Sequence, residues 1–144
     1  MNIRIREPKT AEEFDKYYEL RWRVLREPWG QPPGSEKDDL EGEAAHIVAS
    51  IGGKIIGVGR IHFNSDIEAQ IRYMAVESHY RNMGVGSKIL KRLEDIARGR
   101  GARMIVLNAR EEAVKFYRKH GYEVVGDAGT LFDSIRHWRM SKIL

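Results

Sequence analysis

The sequence predicts one α/β (α+β) domain in which seven strands and three helices follow in the order β-α-loop-βββ-α-β-α-ββ. Three observations carry the prediction. At 144 residues the chain is long enough for one domain with a real core and too short for two ordinary ones. Segments of alternating or continuous apolar residues recur between segments whose apolar residues fall at helical spacing. At 69–99 a strand-like run, a glycine-rich turn and a strongly amphipathic helix follow directly on one another, the arrangement by which a chain builds an anion cradle.

The elements follow in order. Ile3 and Ile5 alternate with Arg4 and Arg6, a first strand that ends at Pro8. Thr10 with Glu13 three residues on is a capping-box pair, and Phe14, Tyr17, Tyr18, Arg21, Trp22 and Leu25 continue a helix to about Arg26. Three prolines and two glycines in Glu27-Pro28-Trp29-Gly30-Gln31-Pro32-Pro33-Gly34 break both helix and ladder, so a loop follows. From Ser35 to Glu43 five carboxylates (Glu36, Asp38, Asp39, Glu41 and Glu43) stand against one Lys37. That segment reads as a solvated loop or, beside a groove, as an attractor of a cationic amine. Ala45 to Ile51 and Ile55 to Phe63 form a hairpin through Gly52-Gly53-Lys54, and Asn64-Ser65-Asp66 turns into a strand near Ala69 to Val76. Val85, Ile89, Leu93, Ile96 and Ala97 mark the amphipathic helix, with Gly99 and Gly101 as stop signals. Met104 to Leu107 is a continuous apolar run and so a strand buried on both faces. A short helix from Glu111 to His120 stops at Gly121, and strands at Tyr122 to Val125 and about His137 to Ile143 complete the sheet.

The glycine-rich turn is Arg81-Asn82-Met83-Gly84-Val85-Gly86-Ser87. Two glycines spaced by one residue let the backbone turn tightly and approach a ligand, while the next helix turn presents unpaired N–H groups and a positive dipole end. A diphosphate suits that end. The Rossmann pattern needs a third glycine where this chain has Ile89, and the P-loop pattern needs a Gly-Lys-Ser/Thr that is absent.

Arg81 to Gly86 resembles the Arg/Gln-x-x-Gly-x-Gly/Ala element of the GNAT N-acyltransferase superfamily. Asn108 to Tyr122 resembles the family's Asn-x-x-Ala-x-x-Phe-Tyr-x-x-x-Gly-Phe/Tyr block, and the similarity runs from about Ala69 to Val125. The resemblance implies a single GNAT-type domain over residues 1–144, with a mixed central sheet of about seven strands flanked by about four helices. It implies acetyl-CoA as cosubstrate, its pyrophosphate on Arg81, Asn82, Met83, Gly84, Val85, Gly86 and Ser87. The strand ending Met74-Ala75-Val76 would splay from its neighbour, pair with the pantetheine and polarise the thioester carbonyl. Asn108 would touch the pantetheine arm, and its position also suits a helix cap. Tyr117 would be the leaving-group acid: a phenol with a pKa near 10 stays protonated at neutral pH and is expected to pass its proton downhill to a thiolate. Asn108 and Tyr117 are thus the catalytic candidates.

Relatives place a glutamate base where this chain has Gln70, a neutral amide that cannot take a proton. His62, Glu68 and His137 are substitutes, each with an ordinary surface or sheet role, and a water chain is the simpler alternative. Trp29, the 36–43 segment, His137 and Trp138 are expected near the acceptor groove. The activity implied is acetyl transfer to a primary amine of a small molecule, peptide or protein by direct attack on the thioester. The alternative is a non-catalytic acyl-CoA-binding sensor.

Composition bounds the partners. The formal charge of +4 and pI near 9.4 suit an anionic partner, but Lys and Arg are interspersed with carboxylates and form no long run, which disfavours nucleic acid. With no cysteine there is neither a disulfide nor a thiol nucleophile nor a thiolate metal site, and no metal is expected. No segment has the length of a membrane span, and Met1 to Arg6 alternates too early for a signal peptide, so a cytoplasmic protein is expected, with a homodimer left open.

Overall fold

Thr10 sets the first helix as the capping pair predicts: its hydroxyl accepts the Glu13 N–H at 3.1 Å, and the Glu13 carboxylate accepts the Lys9 N–H at 2.9 Å. The structure, a computed structural model, describes residues 2–144, so the Met1 of the opening alternation lies outside it. The elements are β1 (Arg4–Arg6), α1 (Ala11–Leu25), β2 (Ala45–Ile51), β3 (Lys54–Phe63), β4 (Glu68–Val76), α2 (Val85–Gly99), β5 (Met104–Arg110), α3 (Val114–Lys119), β6 (Glu123–Leu131) and β7 (Ile135–Ile143). Among the described residues there are three α-helices rather than about four. Short 3-10 turns at Glu27–Trp29, Ser78–Tyr80 and Glu111–Ala113 take up the remaining helical backbone.

The seven strands make one mixed sheet in the order β1-β2-β3-β4-β5-β7-β6. Among the described residues only β4 and β5 pair in parallel. One face carries α2 and α3, with Ile47, Ile61 and Ile71 of the sheet packed with Ile89, Leu93 and Tyr117; the other carries α1, where Tyr17 and Leu20 meet Val48 and Val58. Close approach of α2 depends on two glycines in β3. A Cβ on Gly57 would stand 2.9 Å from Ile89 Cδ1, and one on Gly59 would stand 2.7 Å from Ile89 Cγ2.

Three segments depart from the sequence reading. β5 continues three residues past Leu107, because Asn108, Ala109 and Arg110 pair with Arg139, Trp138 and His137 of β7. β6 continues past Val125 to Leu131, absorbing Gly126, Asp127 and Gly129 in register shifts at Val124/Gly126 and Asp127/Thr130; turn-forming residues here bend an edge strand instead of ending it. The acidic segment is neither solvated nor turned toward an amine. Arg21 and Arg60 are fully buried, and the loop folds inward to supply their counter-charges.

In that network Arg60 donates to Asp38 Oδ1 at 2.6 Å and to Glu41 Oε2 at 2.7 Å, Arg21 donates to Glu41 Oε2 at 2.9 Å, and Arg72 donates to Asp38 Oδ2 at 2.7 Å. Burial opposes ionisation of Asp38, but hydrogen bonds from Arg60 and the Leu40 N–H hold its carboxyl well below the usual range. Only Asp39 and Glu43 of the five carboxylates are exposed.

Gly59→Ala should therefore overpack the α2–β3 contact and cost about 1–3 kcal/mol. Thermal unfolding checks this beside Gly42→Ala, whose Cβ meets nothing within 4 Å and should leave Tm unchanged. Equal melting of both variants and the wild type would mean that α2 lifts from β3 at no cost.

Candidate active site

β4 and β5 hydrogen-bond only from Glu68/Met104 to Ile71/Leu107 and then part. The divergence coincides with a bulge. Between Val58↔Ala75 and Arg60↔Arg72 the β3–β4 register shifts, and Tyr73 takes a φ of +59°, a conformation that aromatic residues rarely adopt. A cavity of about 310 Å³ opens beyond the split, lined by the end of α1 (Leu25, Arg26), Ile71 to Met74, Leu107 to Arg110, Tyr117, Ala128 to Leu131 and His137.

Next to this split stands the glycine-rich turn. Asn82 and Gly84 take φ values of +63° and +79°, and Gly84 begins α2 with no side-chain cap, so the N–H groups of Val85, Gly86 and Ser87 lack helical partners. Arg81, Asn82, Met83 and Gly84 are exposed, and a Cβ on Gly84 would meet nothing within 4 Å. An open, uncapped helix start beside an exposed arginine fits a diphosphate. Three members of the turn differ from the simple expectation. The Val85 side chain is buried in the core, which leaves its backbone N–H to face a ligand. Gly86 serves packing as well, since a Cβ there would sit 3.3 Å from the Phe116 ring. The Ser87 hydroxyl is engaged 2.9 Å from His120 Nε2.

Tyr117 is buried against Phe116 and Tyr122, lines the cavity, and has no side-chain hydrogen bond to another described residue. Burial pushes its phenol pKa up. The expected downhill proton transfer does not hold, because a phenol near 10 already lies above a thiol near 8.5 and burial widens the gap. What remains is a permanently protonated donor able to hydrogen-bond a departing sulfur. Asn108 is not a helix cap: it lies inside β5, exposed on the cavity wall, with its Oδ1 accepting from Arg139 at 3.2 Å. Its amide N–H groups are left for a ligand carbonyl. Met74 lines the cavity, while Ala75 and Val76 pair with Val58 and Gly57 of β3 on the side away from β5.

The base candidates separate cleanly. Gln70 and Glu68 are tied to Asn64 at the far end of β4, and His62 is buried beside Arg60, 3.1 Å from its Nη2. None of the three lines the cavity; His137 does. Its Nδ1 lies 2.9 Å from the Ile135 carbonyl oxygen, which can only accept, so Nδ1 carries the hydrogen and Nε2 keeps its lone pair. Burial, followed by the charges of Arg110, Arg26 and Arg72, lowers the His137 pKa despite the Ile135 hydrogen bond.

Of the other residues expected at the groove, Trp29 and Trp138 are absent from the cavity wall. Trp138 instead lines a separate hollow with Glu111, Val114 and Arg118. Sequence reasoning passed over Arg26, Arg72, Tyr73 and Arg110. The first looked like a helix end, and the others occupied unremarkable strand or motif-spacer positions.

Among the described residues no helix is long and apolar enough to cross a membrane, and no group of three or more His, Asp or Glu is arranged to hold a metal ion. The profile of the acetyltransferase (GNAT) family matches residues 14–122. The uncharacterized N-acetyltransferase YjcF of Bacillus subtilis is 37% identical over 134 residues, 93% of this chain and 95% of its own. Ard1 from Thermoplasma volcanium superposes with a TM-score of 0.86 at 25% identity, covering 100% of this chain and 99% of its own. An aminoglycoside 6'-N-acetyltransferase complexed with coenzyme A superposes with a TM-score of 0.81 at 18% identity, covering 99% and 97% respectively. The family match, the relative that is similar over nearly its whole length, and the split sheet beside an open helix start agree: this chain belongs to the GNAT family and is an N-acetyltransferase.

Proposed function

We propose that this chain transfers the acetyl group of acetyl-CoA to a primary amine by direct attack on the thioester, in the cavity between β4 and β5. The observation that carries the reading is continuity: Gly86 at the uncapped start of α2 stands against Val76 of β4 and Phe116, the neighbour of Tyr117 on the cavity wall, and β4 beyond Ile71 is unpaired with β5. The solved aminoglycoside acetyltransferase with coenzyme A supports the choice of cosubstrate. A cosubstrate found inside cells supports a cytoplasmic reaction. Gln70 lies outside the cavity, so the loss of a carboxylate there lends nothing to a non-catalytic sensor.

The residues divide the work. Arg81 and the N–H groups of Val85, Gly86 and Ser87 hold the diphosphate. The backbone of Met74 to Val76 and the Asn108 amide hold the pantetheine arm, and β4 N–H groups polarise the thioester carbonyl as its oxygen gains charge. Arg26 and Arg110, which have no carboxylate within ion-pair range among the described residues, make the cavity positive, which favours the neutral form of a bound amine. As the C–N bond forms the nitrogen becomes acidic, and His137 Nε2 accepts its proton. Tyr117 donates a hydrogen bond to sulfur as the C–S bond breaks, and the thiolate takes up a proton after release.

Acetyl-CoA should raise Tm of the wild type, and Gly84→Val should remove most of that rise by filling the space before the helix start and straining a positive φ. Equal rises for both would move the diphosphate elsewhere.

Tyr117→Phe keeps the ring packing, so Tm and acetyl-CoA affinity should hold while kcat falls by about 10²- to 10³-fold, the loss expected for one donor to developing charge. Turnover at the wild-type rate, with chemistry rate-limiting, would make Tyr117 a packing residue.

For His137 the pH profile is diagnostic. A base must be neutral, so the wild-type kcat/KM, referred to the concentration of the neutral amine, should be flat near pH 7 and fall as pH drops through a value below 6.5, the group's lowered pKa. His137→Gln should lower the plateau and abolish that limb. Retention of the same acid limb in the variant would assign it to another group.

A further inference from the structure

Besides Arg139, which holds Asn108 on the cavity wall, the cavity and its surroundings contain Arg21, Arg26, Arg60, Arg72 and Arg110, and the fold treats these five in two ways. Arg21, Arg60 and Arg72 each meet a carboxylate of the acidic loop within 3 Å. Arg26 and Arg110 meet none within the 4.0 Å of an ion pair, among the described residues. Yet Arg26 is only 8% exposed and Arg110 is half-buried.

Their N–H groups donate to backbone carbonyls, and the Arg26 guanidinium also lies 5.5 Å from the centres of the Tyr73 and Phe132 rings. Arg26 Nε donates to Ser35 O at 3.1 Å; its Nη1 and Arg110 Nη2 converge on Leu25 O, at 3.2 and 2.8 Å. One neutral oxygen thus holds two guanidinium groups together at the cavity wall. Burial lowers the pKa of both, and each group's cationic neighbours lower it further, Arg26 acting on Arg110 and Arg72 on Arg26, while Tyr73 opposes the shift at Arg26 and Glu112 opposes it at Arg110. Each guanidinium has five N–H donors, so most of this forked set is unused. A buried cation with no carboxylate in ion-pair range is costly, and the fold supplies such carboxylates to its fully buried arginines, Arg21 and Arg60.

We infer that the acceptor amine itself carries an oxyanion, a carboxylate or a phosphate, and that Arg26 and Arg110 bind it. This rests on the acetyltransferase reading and narrows its substrate. The diphosphate of the cosubstrate does not answer the need, because no residue from Arg81 to Ser87 lines this cavity. Size also restricts the occupant. About 310 Å³ lies at the small end of ligand cavities and must admit the acetyl group as well, which points to an acceptor of amino-acid size. Paired guanidiniums suit the bidentate geometry of carboxylate and phosphate oxygens.

Matched amines test it: β-alanine against its amide for a carboxylate, phosphoethanolamine against ethanolamine for a phosphate. The charged member of at least one pair should be used with kcat/KM about tenfold or more above its neutral partner, and the pair concerned identifies the group. Arg26→Gln and Arg110→Gln should bring that ratio toward one chiefly through KM, and Arg26→Lys should restore part of it. The acetyl-CoA melting shift, which reads the α2 start, reports that each variant is folded. No preference in the wild type, or a ratio untouched in both variants, overturns the inference. A uniform loss of kcat for both members also overturns it, since it would place the arginines on the tetrahedral oxyanion. If no amine is acetylated and acetyl-CoA gives no shift, the acetyltransferase reading fails. Calorimetry then decides the anion site by itself: N-acetyl-β-alanine and N-acetylphosphoethanolamine are titrated into wild type and Arg26→Gln. Binding of either that is lost in the variant sustains the site, and no binding of either to the wild type rejects it.

Discussion

Every functional feature depends on the parting of β4 from β5 after four parallel pairs. A sheet interior is a poor place for unpaired backbone groups, so a split has to be enforced. The bulge at Tyr73 does this, turning β4 away by placing a non-glycine residue at a φ of +59°. Strain of this kind costs of order 1–3 kcal/mol and persists where surrounding contacts over-determine it. Here the contacts are cationic: the guanidinium carbons of Arg21, Arg72 and Arg60 lie 4.2, 4.5 and 5.0 Å from the centre of the Tyr73 ring. Each such contact contributes about 0.5–2 kcal/mol against that strain.

The arginines that hold Tyr73 explain the loop at 35–43. Fully buried Arg21 and Arg60 cannot stand without counter-charge, and Asp38 and Glu41 are shared between them and Arg72. The acidic loop is thereby pinned over the outer face of β3 and β4, and its Ser35 carbonyl receives Arg26. One network thus links α1, the loop and the bulge, and leaves the cavity positive because its carboxylates are already committed elsewhere.

Much of this was legible in the sequence, and the boundary of legibility is physical. The Thr10 cap, the α2 stripe and the strand-turn-helix cradle depend on neighbours a few residues apart, and they stand where the sequence puts them. The 108–110 extension of β5 and the long β6 depend on pairing with β7, a partner over twenty residues away for β5, so local pattern stopped them early. Tyr73 gives no local signal for a positive φ. The acidic run was misjudged for the same reason: composition reports charge, whereas the destination of Asp38 and Glu41 is set by arginines on α1 and β3. His137 was visible as one of three substitute bases, and only the convergence of β7 on the cavity separates it from His62 and Glu68.

The positive cavity also bears on how a weak base can serve. With the cavity empty of anions, burial and the charges of Arg110, Arg26 and Arg72 keep His137 neutral but also make it a poor proton acceptor. An acceptor that brings an oxyanion to Arg26 and Arg110 cancels much of that field in the low-dielectric interior, where opposite charges act strongly. His137 then becomes more basic upon acceptor binding. The Ile135 carbonyl keeps Nδ1 protonated throughout, so the gain appears at Nε2, the nitrogen free to take the amine proton. In this arrangement the group that anchors the substrate also tunes the base, and an amine lacking the anion meets His137 at its weakest.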